Sequence, residues 1–221
     1  MNLKPQLLEL LEYAYRQEQV FVQSLAGEAR SAVGTPERWS AKDTLAHIAA
    51  WKRRAAQVLA AIAGGEPGLD FEGLDQFNAE VFREHRDLPW FDVLDKSRQA
   101  YRLLREQTQA TPEDVLAAPE PSGPQDKPAW WFVVGNGCTH ALGHLAQAYI
   151  EQGQAAFALE MQEGAAELLL QLDGGPDWRV YYGLAGHYAA AGQPEKAIAA
   201  LRRAAMLCRG ENNEQEKSLG L

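Results

Sequence analysis

Cysteine is nearly absent from this chain of 221 residues. Cys138 and Cys208 are the only two, far apart and without a partner at ligand spacing. That count argues against a disulfide framework and against a cysteine-type zinc site. Positive charge is also in short supply: 21 lysines and arginines stand against 30 acidic residues, for a net charge of −9 and a pI of about 5.1. An acidic surface repels phosphate backbones and anionic lipid, so nucleic-acid binding as a main role and membrane docking are both disfavoured. Long apolar runs are missing too, since no stretch approaches the roughly 20 residues of a membrane span. The opening MNLKPQLLELLEYAYRQ is charged and amphipathic, unlike the unbroken apolar stretch of a signal peptide. A cytoplasmic protein is expected.

Period-two alternation is lacking as well, which leaves an all-α fold. What is present fits it: 46% hydrophobic residues, enough for a sizeable core in one or two domains. Apolar residues recur at helical spacing over residues 3–27 (Leu7, Leu8, Leu11, Tyr15, Phe21, Leu25), up to the break at Gly34-Thr35-Pro36. Ser40 is a good N-cap for the next helix. Asp43, three residues on, falls where negative charge suits the helix dipole. The stripe Thr44, His47, Ile48, Trp51, Ala55, Val58, Leu59 and Ile62 follows, ended by Gly64-Gly65. Helices are predicted near 73–86 and 90–109, with a short turn opened by Thr111-Pro112-Glu113-Asp114. Four prolines between 117 and 128 mark a loop. A further helix starts near Trp131 or Asn136 and runs to Gln152. Gly135 and Gly137 blur its start, each costing about 1 kcal/mol inside a helix. Alanine-rich helices near 155–172, 177–191 and 194–208 complete the chain, ahead of a polar end expected to fray.

Five histidines are present. His140 and His144 stand four apart on one predicted helix, so their rings share a face and can hold one ion. Two imidazoles suit zinc, nickel, copper or iron but leave a site incomplete. His47, on an apolar stripe one turn before Trp51, is the best third ligand; His85, in the charged run REHRD, looks exposed and is a poor one. Three histidines with an open fourth position match a catalytic rather than a structural site, the open position holding a water whose pKa the metal lowers. The bland readings stand beside this one: an HxxxH pair is common, and a lone His47 can be a core histidine bonded to a carbonyl.

The segment Arg38-Trp39-Ser40-Ala41-Lys42-Asp43-Thr44-Leu45-Ala46-His47-Ile48-Ala49-Ala50-Trp51 resembles the second-helix signature of the DinB/YfiT-like superfamily. His140-x-x-x-His144, followed by Gln147-Ala148, resembles that family's last bundle helix. The likeness covers about residues 3–153. It implies a four-helix bundle whose metal triad is His47, His140 and His144. It also implies a homodimer, a divalent metal (zinc or nickel first), and a metal-dependent hydrolase or thiol-dependent transferase acting on a small molecule. The stretch from Asn78-Ala79-Glu80-Val81-Phe82 to Asp92-Val93-Leu94 is similar to the ClbS/DfsB branch, whose members include self-resistance proteins that need no metal.

No second catalytic group stands out. Asp43 could accept from His47 but is better explained as the cap. Glu80, Glu84 and Glu151 could be bases but read as surface charges, and Trp130 and Trp131 could line a pocket mouth but read as core. Residues 178–211 resemble one tetratricopeptide repeat, with Ala185, Tyr188, Gly192, Ala197, Leu201 and Ala204 at its packing positions. The expected architecture is therefore a bundle over 1–153 and a tetratricopeptide-like helical hairpin tail over 154–221. The tail either extends the fold or docks a protein partner, the latter making the chain an adaptor.

Overall fold

The structure, a computed structural model, describes residues 3–66, 68, 73–119, 127–172 and 178–218. Every regular element in it is helical; among the described residues the only β-type pairings are isolated bridges, Thr35 to Arg38 and Pro119 to Pro128. No helix among them is long and apolar enough to cross a membrane. The chain forms two compact units, 3–145 and 146–221, and the division falls inside a continuous helix, ahead of the boundary expected after Gly153.

In the first unit, α1 (Leu3–Ser24) is followed by a short turn of helix, α2 (Gly27–Ser31). The first helix therefore stops three residues before the predicted 27. α3 (Ala41–Ala63), α4 (Leu74–His85), α5 (Trp90–Ala110) and the short α6 (Glu113–Ala117) match the expected positions to within a few residues. The last long segment is continuous where the sequence left its start open. α7 (Trp130–Val134) passes through a π-helical turn at Gly135–Thr139 into α8 (His140–Glu151). Gly137 explains why the glycines are tolerated: a Cβ there would collide with Leu11 Cδ2 and lie 2.9 Å from Leu104 Cδ2. The turn that widens the helix also lets its backbone press against α1 and α5.

α5 packs on α1 and α3, and the α7–π segment packs on α1 and α3, so four long segments close a ring. Leu7, Leu11, Phe21, Leu45, Ile48, Leu59, Leu104 and Phe132 are fully buried within this unit. Burial of this kind contributes roughly 1.5–3 kcal/mol per side chain. α4 packs on α3, outside that ring. Lys42, on α3, is buried and ties the two together by donating to the Arg86 (2.6 Å) and Leu88 (3.1 Å) carbonyls beyond the end of α4.

In the second unit, α9 (Ala155–Leu169), α10 (Trp178–Ala190) and α11 (Pro194–Ser218) pack in sequence, α9 on α10 and α10 on α11. Ala185, Ala197, Ala200 and Ala204 are buried, which suits close helix approach, whereas Leu201, expected to pack, is 45% exposed. α11 runs on to Ser218, ten residues beyond the expected 208. The extension is rich in Glu, Gln and Lys, which are good helix formers, and contains no proline to end it.

Candidate metal centre

The N-terminus of α3 sets the first ligand. Ser40 caps the helix: its Oγ accepts from the Asp43 N–H at 3.2 Å, and Asp43 Oδ2 accepts from Ser40 N–H (2.9 Å), Ser40 Oγ–H (2.6 Å) and Gly34 N–H (3.0 Å). Gly34 has to be glycine, because a Cβ would collide with this same carboxylate and with the Ser40 nitrogen. Asp43 is thus a cap and a brace for the preceding loop; none of its hydrogen bonds goes to His47.

One turn along α3, His47 is 4% exposed. Its Nε2 lies 3.1 Å from His140 Nε2, which lies 3.0 Å from His144 Nε2. The three rings form a group able to hold a metal ion. Two tryptophans frame it. Trp39, just before the cap, lies over His47 (centroids 4.4 Å) and His144 (5.6 Å). Trp51, one turn after His47, meets His47 (6.1 Å) and His140 (5.4 Å) edge-on.

The electrostatics favour neutral rings. Burial, with the neighbouring His140 and His144 adding to it, pushes His47 down to about 2. Burial, then His144 and Lys52, push His140 down to about 4, and burial alone lowers His144. Three neutral imidazoles then face one another, and they cannot satisfy each other. A ring nitrogen offers either one lone pair or one proton, so His140 Nε2 cannot complete good hydrogen bonds to both neighbours. One cation would take all three lone pairs. The spacing suits that, since nitrogens about 2.0–2.1 Å from a tetrahedral ion lie about 3.3 Å apart. The donor set fits zinc or nickel. The far nitrogens fit less well: Nδ1 of His47 and of His140 are buried without a hydrogen-bond partner, where ligating histidines are normally braced by a carbonyl or carboxylate.

His85 differs from its expected place. It is buried rather than exposed, and its Nδ1–H donates to the Val81 carbonyl at 2.8 Å, one turn back on α4. It lies outside the three-histidine group but lines a cleft with His47. One wall of that cleft is Asn78, Val81, Phe82 and His85 from α4; Trp39, Asp43, Ala46 and His47 form the other. The space inside accepts about one water. Of the other candidates, Glu80 is half-buried and accepts from Gln76 at 3.1 Å, and Glu84 is exposed. Glu151 is exposed and accepts from Gln147 at 2.8 Å. Trp130 and Trp131 are half-buried and do not line the cleft.

Sequence reasoning missed the tryptophan frame and the Asn78–His85 wall. A signal existed for the second: Asn78, Val81, Phe82 and His85 follow the i, i+3, i+4, i+7 spacing of one helix face. It also missed a fully buried polar cluster nearby. Lys52, in the surface-like run WKRR, pairs with Glu18 Oε1, and Ser97 Oγ donates to Glu18 Oε2 at 3.0 Å. Compared with protein-family models, with curated proteins and with solved structures, the chain has no match.

Proposed function

We propose that the chain is a divalent-metal protein of the DinB/YfiT-like type, with His47, His140 and His144 as ligands, acting as a hydrolase or thiol-dependent transferase on a small molecule. The observation that carries this reading is the convergence of three neutral Nε2 atoms, 3.0 and 3.1 Å from the central one. When bound, the ion supplies a Lewis acid. The chain's own residues do the rest: burial lowers all three imidazoles and keeps them unprotonated near neutrality, Trp39 and Trp51 flank the rings, and the Ser40–Asp43 cap fixes the start of the helix that carries His47. Metal analysis of protein purified without chelator tests the reading. About one zinc or nickel per chain is expected, and alanine at any of the three histidines should abolish it. Metal-free protein that takes up neither ion in a calorimetric titration would overturn it.

A second reading, a metal-free binding or self-resistance protein of the ClbS/DfsB type, is favoured by one observation, the unbraced Nδ1 atoms of His47 and His140. The same titration separates the two. The tetratricopeptide-like tail fits either, as a scaffold or as a surface for a protein partner. Homodimerisation is the expected assembly on the resemblance alone, and sedimentation of the full chain tests it.

A further inference from the structure

In the cleft between α4 and the start of α3, the α4 wall has a polar group at each end and an apolar middle, facing Trp39, Asp43, Ala46 and His47. At one end, Asn78 Oδ1 accepts the Trp51 Nε1–H at 3.1 Å. That bond orients the amide, leaving its Nδ2 hydrogens as donors with no other partner among the described residues. At the other end, His85 gives its Nδ1–H to Val81, so in the neutral ring Nε2 is an acceptor, and it too has no partner among the described residues. Asn78 and His85 lie seven residues apart on one face of α4, about 10 Å along the axis, with Val81 and Phe82 between them. Trp39 closes the opposite side. The one carboxylate in the lining, Asp43, already accepts three hydrogen bonds, and no lysine or arginine lines the cleft. An anion would find the Asn78 amide hydrogens but no counter-charge to offset the Asp43 carboxylate, and that carboxylate is already taken up by the cap.

We infer that this cleft recognises a small uncharged molecule with an aromatic or apolar middle, a hydrogen-bond acceptor at one end for Asn78 and a donor at the other for His85. The interior holds about one water, so a ring enters by displacing it and turning the half-buried Trp39 and Phe82. That such a guest is a substrate rests on the metal-centre reading above; its binding does not.

The test uses three single-ring probes on the metal-free full chain, followed through the Trp39 indole N–H resonance. 4-Hydroxy-N,N-dimethylbenzamide carries the acceptor and the donor, its 4-methoxy ether lacks the donor, and 4-hydroxybenzoate replaces the amide with an anion. The hydroxy amide should shift the resonance and bind about fivefold tighter than the methoxy amide, one hydrogen bond's worth, and the benzoate should not bind. His85→Phe should erase the hydroxy-over-methoxy preference, and Asn78→Leu should weaken both amides about fivefold. Equal binding of the two amides to the wild-type chain, or no shift at millimolar probe, overturns the inference without recourse to any variant. Zinc uptake measured on the same samples keeps the two proposals apart: amide selectivity without zinc uptake removes only the metal centre, and zinc uptake without amide selectivity removes only the cleft.

Discussion

Two polar clusters sit inside the same helical unit, anchored five residues apart on α3. Around Lys52, every oxygen of Glu18 has a partner: Lys52 on Oε1 and Ser97 on Oε2. Around His47, three ring nitrogens face one another while two more are buried with no partner at all. In the first cluster every side chain has a partner, and it joins α1, α3 and α5. The second is complete only when something else enters. Buried polar groups in folded proteins are almost always satisfied, so the first cluster reads as structural, and the second, whose three rings could hold a metal ion, is the candidate site.

Breaking the complete cluster should have the largest effect. Glu18→Ala leaves the Lys52 ammonium without a counter-ion in a dry core and should cost about 3–5 kcal/mol in denaturant unfolding. Replacing both partners by apolar residues of similar size should recover most of that loss. If Glu18→Ala unfolds no more easily than the wild type, the pair does not hold α1, α3 and α5 together.

The incomplete cluster should respond oppositely. His47→Leu should leave the metal-free fold within about 1 kcal/mol of the wild type, since it removes a buried orphan nitrogen. Zinc at a hundred times its Kd should stabilise the wild type by about 2.7 kcal/mol and the variant not at all. Equal stabilisation of both by zinc, read as a shift in Tm, would separate His47 from the ion.

Gly137→Ala probes the join between backbone and site. The new Cβ meets Leu11 and Leu104, and overpacking of this kind costs about 1–3 kcal/mol. Because His140 follows three residues later, zinc affinity should weaken along with stability; a stability loss with unchanged affinity would show that the π-helical turn does not place the ligand.

The smallest effect near neutrality is that of pH. Folded His47 and His140 are held below the usual 6.5, at about 2 and about 4. Below pH 6.5 the unfolded chain therefore binds more protons than the folded one. Their contribution is intact above pH 6.5 and drains away as the pH falls towards 4 and then 2. Because His47 and His140 are held at about 2 and about 4 and burial lowers His144 as well, apparent zinc affinity should fall less steeply below pH 7 than at three exposed histidines, with the cluster titrating as one unit. A fall as steep as at exposed histidines would contradict these lowered values.

Much of the helical layout was legible in residue order because the signals are local. The Ser40–Asp43 cap, the 3.6-residue stripe of α3 and the i, i+4 spacing of His140 and His144 depend on neighbours a few positions away, while most of the expected proline-rich loop, 120–126, lies outside the described residues. The π-helical turn was not legible, since two glycines look the same whether they end a helix or widen it. Lys42 and Lys52 were equally opaque: a lysine in a charged run reads as surface until a distant carbonyl or carboxylate is found for it.

The sequence by itself determined that this chain is helical, poor in sulfur, acidic, and equipped with two histidines on one helix face and a third on another stripe. Only the tertiary structure decided that His47 meets His140 at 3.1 Å, that His85 turns inward to line the same cleft, and that Asp43 serves the cap rather than the ring. Periodicity and capping act over a few residues, whereas partners 93 positions apart are brought together only by the packing of the whole unit.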